Sequence, residues 1–226
     1  MGSEVLECFK VGAEILKGGA AIFAARVVYL GIDSWKQEFI GKRRIELAED
    51  TLATFFEIKA AIAFIRSPLR GKQEGSTRQR EPDEDPEHRE ILDRAFIAEE
   101  RYNKKEEIFN KYNKLQYRFR ATFGDETKDF FAKITKITND IFSSSRLLGR
   151  TYWPSYEKQN ITDEELKHMH KRENILMSGD PKEDEIVKKL EGIQKKLEET
   201  TESCFKSETS LNLFSYLKWK KSDSKK

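Results

Sequence analysis

The chain has 226 residues, of which 36% are charged, yet its formal net charge is only +2. A charge balance this even gives no overall field suited to nucleic acid, and 15 Phe with 7 Tyr exclude a fully disordered chain. Two cysteines, Cys8 and Cys204, are too few for a disulfide framework or a zinc cluster. Scarce Gly and Pro, with abundant Glu, Lys, Leu and Ala, predict an all-α fold.

The first predicted element is an apolar helix at residues 1–33. Residues 11–32 contain nine Val, Ile, Leu or Phe side chains, which favour insertion into lipid by about 4 kcal/mol in total. Arg26 lies near the middle of this run and opposes insertion by about 3 kcal/mol. The balance leaves two readings open, a membrane anchor and a buried helix. A cleaved signal peptide is disfavoured because acidic residues precede the run.

A predicted membrane interface follows this helix. A basic cluster lies directly after the apolar run, and no comparable cluster precedes it. The positive-inside rule then places most of the chain in the cytoplasm, at the inner (plasma) membrane, as a single-pass or peripheral protein. A cytoplasmic protein without membrane contact is the alternative. The predicted interface residues in this part are Arg26, Trp35, Lys42, Arg43 and Arg44.

Residues 34–153 are predicted to form the core of a helical bundle. A second helix, either capped at Ser34 or continuous with the first, ends before Pro68. Residues 67–88 mix basic and acidic side chains with Gly and Pro, which predicts a mobile charged loop. Docking of an anionic ligand by this loop is the sharper alternative.

Two further helices are predicted in the bundle core from the spacing of their apolar residues. One long helix runs from about Pro86 to Phe123, and the next runs from Asp125 to about Gly149, with Pro154 as its stop. The first carries Tyr112 and Phe119 between basic residues, a pattern that could also stack nucleic-acid bases. Helical spacing favours a core position for both rings.

The C-terminal third is predicted to contain a connector, 154–181, and an amphipathic helix with a basic tail, 182–226. Thr162 and Glu165 form a capping box, which predicts a short helix at 163–177. If the long helices run antiparallel, the tail returns to the level of the basic cluster. The predicted interface residues in the tail are Trp219, Lys220 and Lys221, which suit an anionic lipid surface.

No residue pattern in the sequence indicates catalysis, a cofactor or a metal. The chain has no Gly-rich phosphate loop and no recognisable nucleophile arrangement. His168 and His170 are two residues apart, so their rings do not share a helix face. Glu165 with His168 supplies only half of a di-iron signature. We therefore predict no catalytic, cofactor-binding or metal-binding residue.

Several strings in the first two thirds of the chain form a recognisable set. They include W-x-x-E-F-x-G-K-R-R-x-E-L-A-E at 35–49 and I-R-S-P at 65–68, with shorter strings at 100–102 and 117–124. The set resembles a group of small bacterial proteins of no known activity. The resemblance implies an apolar N-terminal segment, usually a single span, followed by a helical cytoplasmic region. Arg26 departs from that pattern.

These features together predict a non-enzymatic, membrane-associated helical scaffold, sensor or interaction protein of bacterial type. Its partners would be a bilayer or anionic membrane surface, and either a second copy or a helical protein; nucleic acid is disfavoured. A membrane-acting effector of a stress or defence system is the alternative. A soluble enzyme with an unrecognised site is a weaker one.

Overall fold

The structure, a computed structural model, describes residues 2–82 and 84–205; within the first helix it leaves out the side chains of 2–17, 21, 22, 25 and 34. The described chain is all-α, as predicted, and contains no strand. It divides into two compact units between Glu46 and Leu47. The α-helices are α1 (Gly2–Ile65), α2 (Pro86–Asn103), α3 (Glu106–Phe123), α4 (Lys128–Leu147), α5 (Trp153–Glu157), α6 (Asp163–Leu176) and α7 (Glu185–Phe205).

Helix α1 is one continuous helix, so no separate second helix begins near Ser34. No proline precedes Pro68 in the sequence, and glycine alone weakens a helix without ending it. The C-terminal end agrees with prediction, because α1 stops at Ile65, three residues before Pro68.

The single long helix predicted between Pro86 and Phe123 is wrong, because the structure contains two helices there. The chain leaves helical geometry at Lys105, whose φ is −120° and ψ is 9°. Across the break the rings of Tyr102 and Phe109 lie 4.6 Å apart, and Phe142 of α4 contacts Tyr102 at 5.0 Å. This aromatic cluster accompanies a break at which the sequence carries no Gly or Pro.

The predicted helix end near Gly149 agrees with the end of α4 at Leu147, but the predicted stop of helical structure before Pro154 is wrong. Helix α4 passes into a π-helical turn, Leu148–Tyr152, and then into α5. Pro154 lies in the first turn of α5, where a backbone N–H has no intrahelical acceptor. Gly149 instead allows close contact with α2, since an added Cβ would lie 2.5 Å from the Cβ of Ala95.

Helix α6 begins as predicted. The hydroxyl of Thr162 accepts from the N–H of Glu165, and the Glu165 carboxylate accepts from the N–H of Thr162 at 2.9 Å. The helix is tied to the preceding turn through Trp153, whose Nε1 donates to Glu173 at 2.8 Å. The guanidinium of Arg94 lies 4.2 Å from the Trp153 ring, so this buried indole has a polar contact on its edge and a cation on its face.

The predicted apolar stripes form the core. In α4 every residue of the predicted stripe is buried, and in α7 four of five are. Tyr112 and Phe119 are 1% and 0% exposed, so these rings pack in the core and are not available to stack on bases. The buried stripe residues of α4 and α7 are Phe130, Ile134, Ile137, Ile141, Ser145, Leu148, Ile186, Leu190, Ile193 and Leu197.

One buried arginine joins three chain segments. Arg66, directly after α1, donates from Nε and Nη2 to the carbonyls of Asn174, Ile175 and Met177 at 2.8–2.9 Å. These carbonyls belong to the last turn of α6, where helical partners run out. Nη1 of Arg66 lies 2.9 Å from Oδ2 of Asp184, and both side chains are 2% exposed.

Asp184 also caps the next helix. Its Oδ1 accepts from the N–H of Ile186 at 2.8 Å, at the start of α7. Burial opposes ionisation of this carboxyl, but the hydrogen bond and charge of Arg66 outweigh it and lower its pKa. The ion pair therefore links the end of α1, the end of α6 and the start of α7.

Replacing Arg66 with Met should lower the free energy of unfolding by about 3–5 kcal/mol, because Asp184 would remain buried without its cation. Adding Asp184→Asn to this variant should recover part of the loss, since an amide needs no counterion. Urea denaturation followed by far-UV circular dichroism measures both. Arg118→Met, on the exposed face of α3, is the control and should change stability by less than about 0.5 kcal/mol. Equal losses of stability in Arg66→Met and Arg118→Met would contradict the role of Arg66.

The hydroxyl of Tyr112 is buried without a hydrogen-bond partner in the described chain. Tyr112→Phe should therefore raise the free energy of unfolding by about 1 kcal/mol, since it removes an unsatisfied polar atom and leaves no cavity. Tyr117→Phe, at an exposed position of the same helix, should have no effect. A destabilised Tyr112→Phe protein would show that the hydroxyl has a partner in solution.

Candidate functional site

Nine of the fourteen exposed large apolar residues of the described chain lie in α1, between residues 23 and 40. Nine large apolar side chains in this stretch are between 47% and 72% exposed. An exposed apolar patch of this size on a single helix usually marks a surface that binds another molecule. We call it the apolar surface: Phe23, Val27, Val28, Tyr29, Leu30, Ile32, Trp35, Phe39 and Ile40.

Three charged side chains of this helix stretch lie close together around the helix axis. At 100° per residue, Arg26, Asp33 and Lys36 fall within about 80° of one another. Val28, Ile32, Trp35 and Phe39, spaced by four, three and four residues, fall within about 60° of one another, centred roughly 120° from these charged side chains. Tyr29 and Ile40 fall between Lys36 and Asp33, so the apolar surface extends around most of this helix stretch and includes the charged side.

The basic cluster continues this helix stretch. The rings of Trp35 and Phe39 stack with centroids 5.8 Å apart, and the guanidinium of Arg43 lies 5.0 Å from the Phe39 ring. Lys42 contacts Glu38 at 2.9 Å, and the hydrogen bond that Lys42 donates to this carboxylate raises the pKa of Lys42. Apolar, aromatic and cationic groups thus follow one another along a single exposed helix.

The structure places five predicted interface residues on this exposed stretch: Arg26, Trp35, Lys42, Arg43 and Arg44. The other three, Trp219, Lys220 and Lys221, lie outside the described residues. None of the described helices combines the length and apolar character needed to cross a bilayer, so the expected span at 11–32 finds no support.

The charged loop after α1 contacts Arg101 of α2, and the predicted mobility of this loop stays a prediction. Both ends of the Arg101 guanidinium reach Glu74, at 3.0 Å from Nε and 2.6 Å from Nη2. Nη1 donates to the carbonyls of Phe64 and Ser67, at 3.2 and 2.7 Å, where α1 has ended. Arg101 is 3% exposed, so it fixes the loop against the bundle through a buried bidentate ion pair.

A second contact fixes the middle of the loop. The N–H of Gly75 donates to Glu100 at 2.7 Å, and the hydroxyl of Thr77 donates to the same carboxylate oxygen at 3.0 Å. Gly75 has a φ of 90°, and an added Cβ would lie 2.1 Å from the carbonyl oxygen of Asp93. Only glycine fits this approach.

The remaining arginines of the loop are paired with carboxylates. Arg78 contacts Glu84 at 2.6 Å and Asp93 at 2.9 Å, and Arg80 contacts Asp93 at 2.8 Å. Their charges are neutralised within the protein, which weakens the alternative reading of the loop as an anion-binding site.

The predicted absence of chemical sites stays a prediction. Among the described residues, no group of three or more His, Cys, Asp or Glu side chains is arranged to hold a metal ion. His168 and His170 are both exposed, and Met169 between them is buried.

Sequence reasoning missed the two buried arginines, Arg66 and Arg101. Both lie within strings that carried the resemblance, but their charge suggested solvated positions. No local signal marks Arg66, because the carbonyls to which it donates belong to the end of α6, more than one hundred residues away. Arg101 lies in α2 between the stripe residues Ala98 and Tyr102.

Comparison with known proteins gives no relative for this chain. No protein-family model matches it, and no curated protein or solved structure matches it. The geometry of the described residues therefore carries the functional argument.

The Glu74–Arg101 pair should make the free energy of unfolding depend on pH in the acidic range. Hydrogen bonding from Arg101 lowers the pKa of Glu74 from 4.5 to about 2. The interaction that lowers this pKa stabilises the fold fully above pH 4.5, and the stabilisation is lost as the pH falls toward 2. Glu74→Gln should therefore be less stable than wild type at pH 6. The difference in the free energy of unfolding between the two proteins should be smaller at about pH 3 than at pH 6.

Urea midpoints across this pH range measure the effect. Glu191→Gln, at an exposed position of α7, is the control and should leave the pH profile unchanged. A difference between wild type and Glu74→Gln that stays constant from pH 6 to about pH 3 would contradict the ion pair.

Proposed function

We propose that the protein is a non-enzymatic helical scaffold that binds an anionic membrane surface through residues 18–44 of α1. The observation that carries this proposal is the apolar surface, whose nine large side chains are exposed on one helix. Leaving this surface in water is unfavourable by roughly 25 cal/mol for each Å² of apolar area. A binding partner that covers it is therefore favoured.

Anionic lipid suits this surface for two physical reasons. Arg26, Asp33 and Lys36 can remain at the headgroup level while the side of the helix around Trp35 enters the acyl region. Lys42 and Arg43 then lie beside the inserted stretch, and each contributes about 1 kcal/mol on an anionic leaflet. Binding in the plane of the membrane requires no transmembrane span.

Three further predictions from the sequence, on helix order, the basic tail and location, remain part of this proposal. They are an antiparallel order of the bundle helices, a basic tail that reaches the same lipid surface, and a location at the inner membrane. The resemblance to small bacterial membrane proteins agrees with this assignment. The bundle from residue 47 onward would serve as the part held near the membrane for other proteins to bind.

The experiment is flotation of the purified full chain with vesicles of phosphatidylglycerol and phosphatidylcholine. We expect the wild type to float with anionic vesicles and to float less with pure phosphatidylcholine. A variant with Val28, Ile32 and Trp35 replaced by Gln should lose most of this binding, because Gln keeps helix propensity and removes the apolar side. Lys42→Gln with Arg43→Gln should weaken anionic binding by about tenfold to thirtyfold.

The matched control replaces three exposed apolar residues of other segments, Leu69, Tyr117 and Tyr156, with Gln. This variant should bind vesicles like the wild type, and far-UV circular dichroism should show equal helix content in all proteins. The proposal fails if the wild type ignores anionic vesicles, or if the control loses binding to the same extent as the α1 variant.

A further inference from the structure

A groove between α4 and α7 is separate from the apolar surface. Its volume is about 310 Å³, and its floor is formed by Ile137 and Ile193. These two side chains are only 3% and 2% exposed, so they belong to the core and show one edge in the groove. Nothing in the proposed membrane binding uses this face.

The groove residues have a spacing that helices use to accept other helices. From α4 they are residues 133, 136, 137 and 140, and from α7 they are residues 189, 192, 193 and 196. Both sets follow the order i, i+3, i+4, i+7. Four residues in this order form the hole that receives a side chain in knobs-into-holes packing. The groove thus presents two such holes side by side.

Gly192 leaves the α7 hole open. No described atom lies within 4 Å of a Cβ added at this position, so helix packing in the described chain does not require glycine here. Glycine in a helix interior is less favourable than alanine by about 1 kcal/mol. Gly192 is unfavourable for its helix, and the described packing does not require it. Its effect is to leave space for a side chain of a bound partner.

Cationic side chains surround this apolar floor on both sides. Lys133 and Lys136 extend from α4, and Lys189 and Lys196 extend from α7. Asp140 pairs with Lys136 at 3.3 Å, and Glu185, beside the groove, pairs with Lys189 at 4.0 Å. Four lysines with these two carboxylates leave a formal charge of +2. No described carboxylate lies within ion-pair distance of Lys133 or Lys196.

We propose that this groove binds an acidic amphipathic helix of a partner protein. Apolar side chains of that helix would enter the two holes, and Asp or Glu on its flanks would face the lysines of α4 and α7. This is the helix-in-groove mode of recognition, with charge selecting the partner. An acidic helix can place carboxylates against the lysines on both sides of the groove. A fatty acid, the other apolar anion that could enter, has a single carboxylate.

The chain's own C-terminal residues fit this groove poorly by charge. Residues 206–226 contain six lysines and two acidic residues, the same sign as the groove. Like charges oppose docking.

The test measures binding of a synthetic helical peptide of about 20 residues to the full chain, without vesicles. The peptide has Leu at the a and d heptad positions and Glu at the flanking positions, with a fluorescent label for anisotropy. A second peptide carries Lys in place of Glu. We expect the acidic peptide to bind and the basic peptide to bind at least about tenfold more weakly.

Two variants locate the binding. Gly192→Leu fills the α7 hole in open space, so the protein should stay folded, and acidic-peptide affinity should fall by about tenfold or more. Lys133→Glu with Lys196→Glu should weaken the acidic peptide by a similar factor and strengthen the basic one. The charge-matched control is Lys188→Glu with Lys195→Glu, on α7 outside the groove, and it should bind like the wild type.

Several results would overturn this proposal. They are no binding of the acidic peptide, equal binding of both peptides, or binding unchanged in Gly192→Leu. Self-association that Gly192→Leu abolishes would assign the groove to a second copy, and displacement of the peptide by oleate would assign it to a lipid. Membrane flotation of these variants should remain normal, which separates this proposal from the function of α1.

Discussion

The ion pair between Arg66 and Asp184 is the contact on which the bundle depends most. Removing two charges from water is unfavourable by several kcal/mol each, so such a pair persists only when every donor finds an acceptor. Arg66 meets this condition by donating to three carbonyls at the end of α6 as well as to Asp184. One side chain thereby satisfies the unpaired end of one helix while its partner caps another. Segments more than one hundred residues apart in sequence are held in register by this contact.

Arg101 repeats this arrangement at the end of α1. It donates to the last carbonyls of that helix and binds Glu74, so the loop that follows is fixed to the bundle. The bundle is thus stabilised by buried cations at helix ends, whereas residues 18–40 of α1 leave apolar side chains in solvent. This contrast separates a self-sufficient bundle from a helix stretch that needs another molecule to cover it.

The sequence alone was sufficient for the fold class, the capping box and most core positions, because apolar residues repeat with helical period in α4 and α7. It was insufficient where long-range packing decides geometry. The break at Lys105 has no glycine or proline, and the π-helical turn after Leu147 lets the chain continue past Gly149 and Pro154. The apolar stretch of α1 was recognisable from composition, and its assignment as a membrane interface stays a prediction. Arg66 and Arg101 were not, since burial of a charge depends on acceptors supplied by distant segments.

The two described tryptophans lie in opposite environments. Trp153 is 4% exposed beneath Arg94, whereas Trp35 is 63% exposed on the apolar surface. Acrylamide should therefore quench the emission of Trp35 strongly and that of Trp153 weakly. Since the indole of Trp35 stands within the proposed contact region, its emission maximum reports polarity there without any added label. The protein carries an optical probe at the surface whose occupant is in question and a second one inside the bundle as an internal reference.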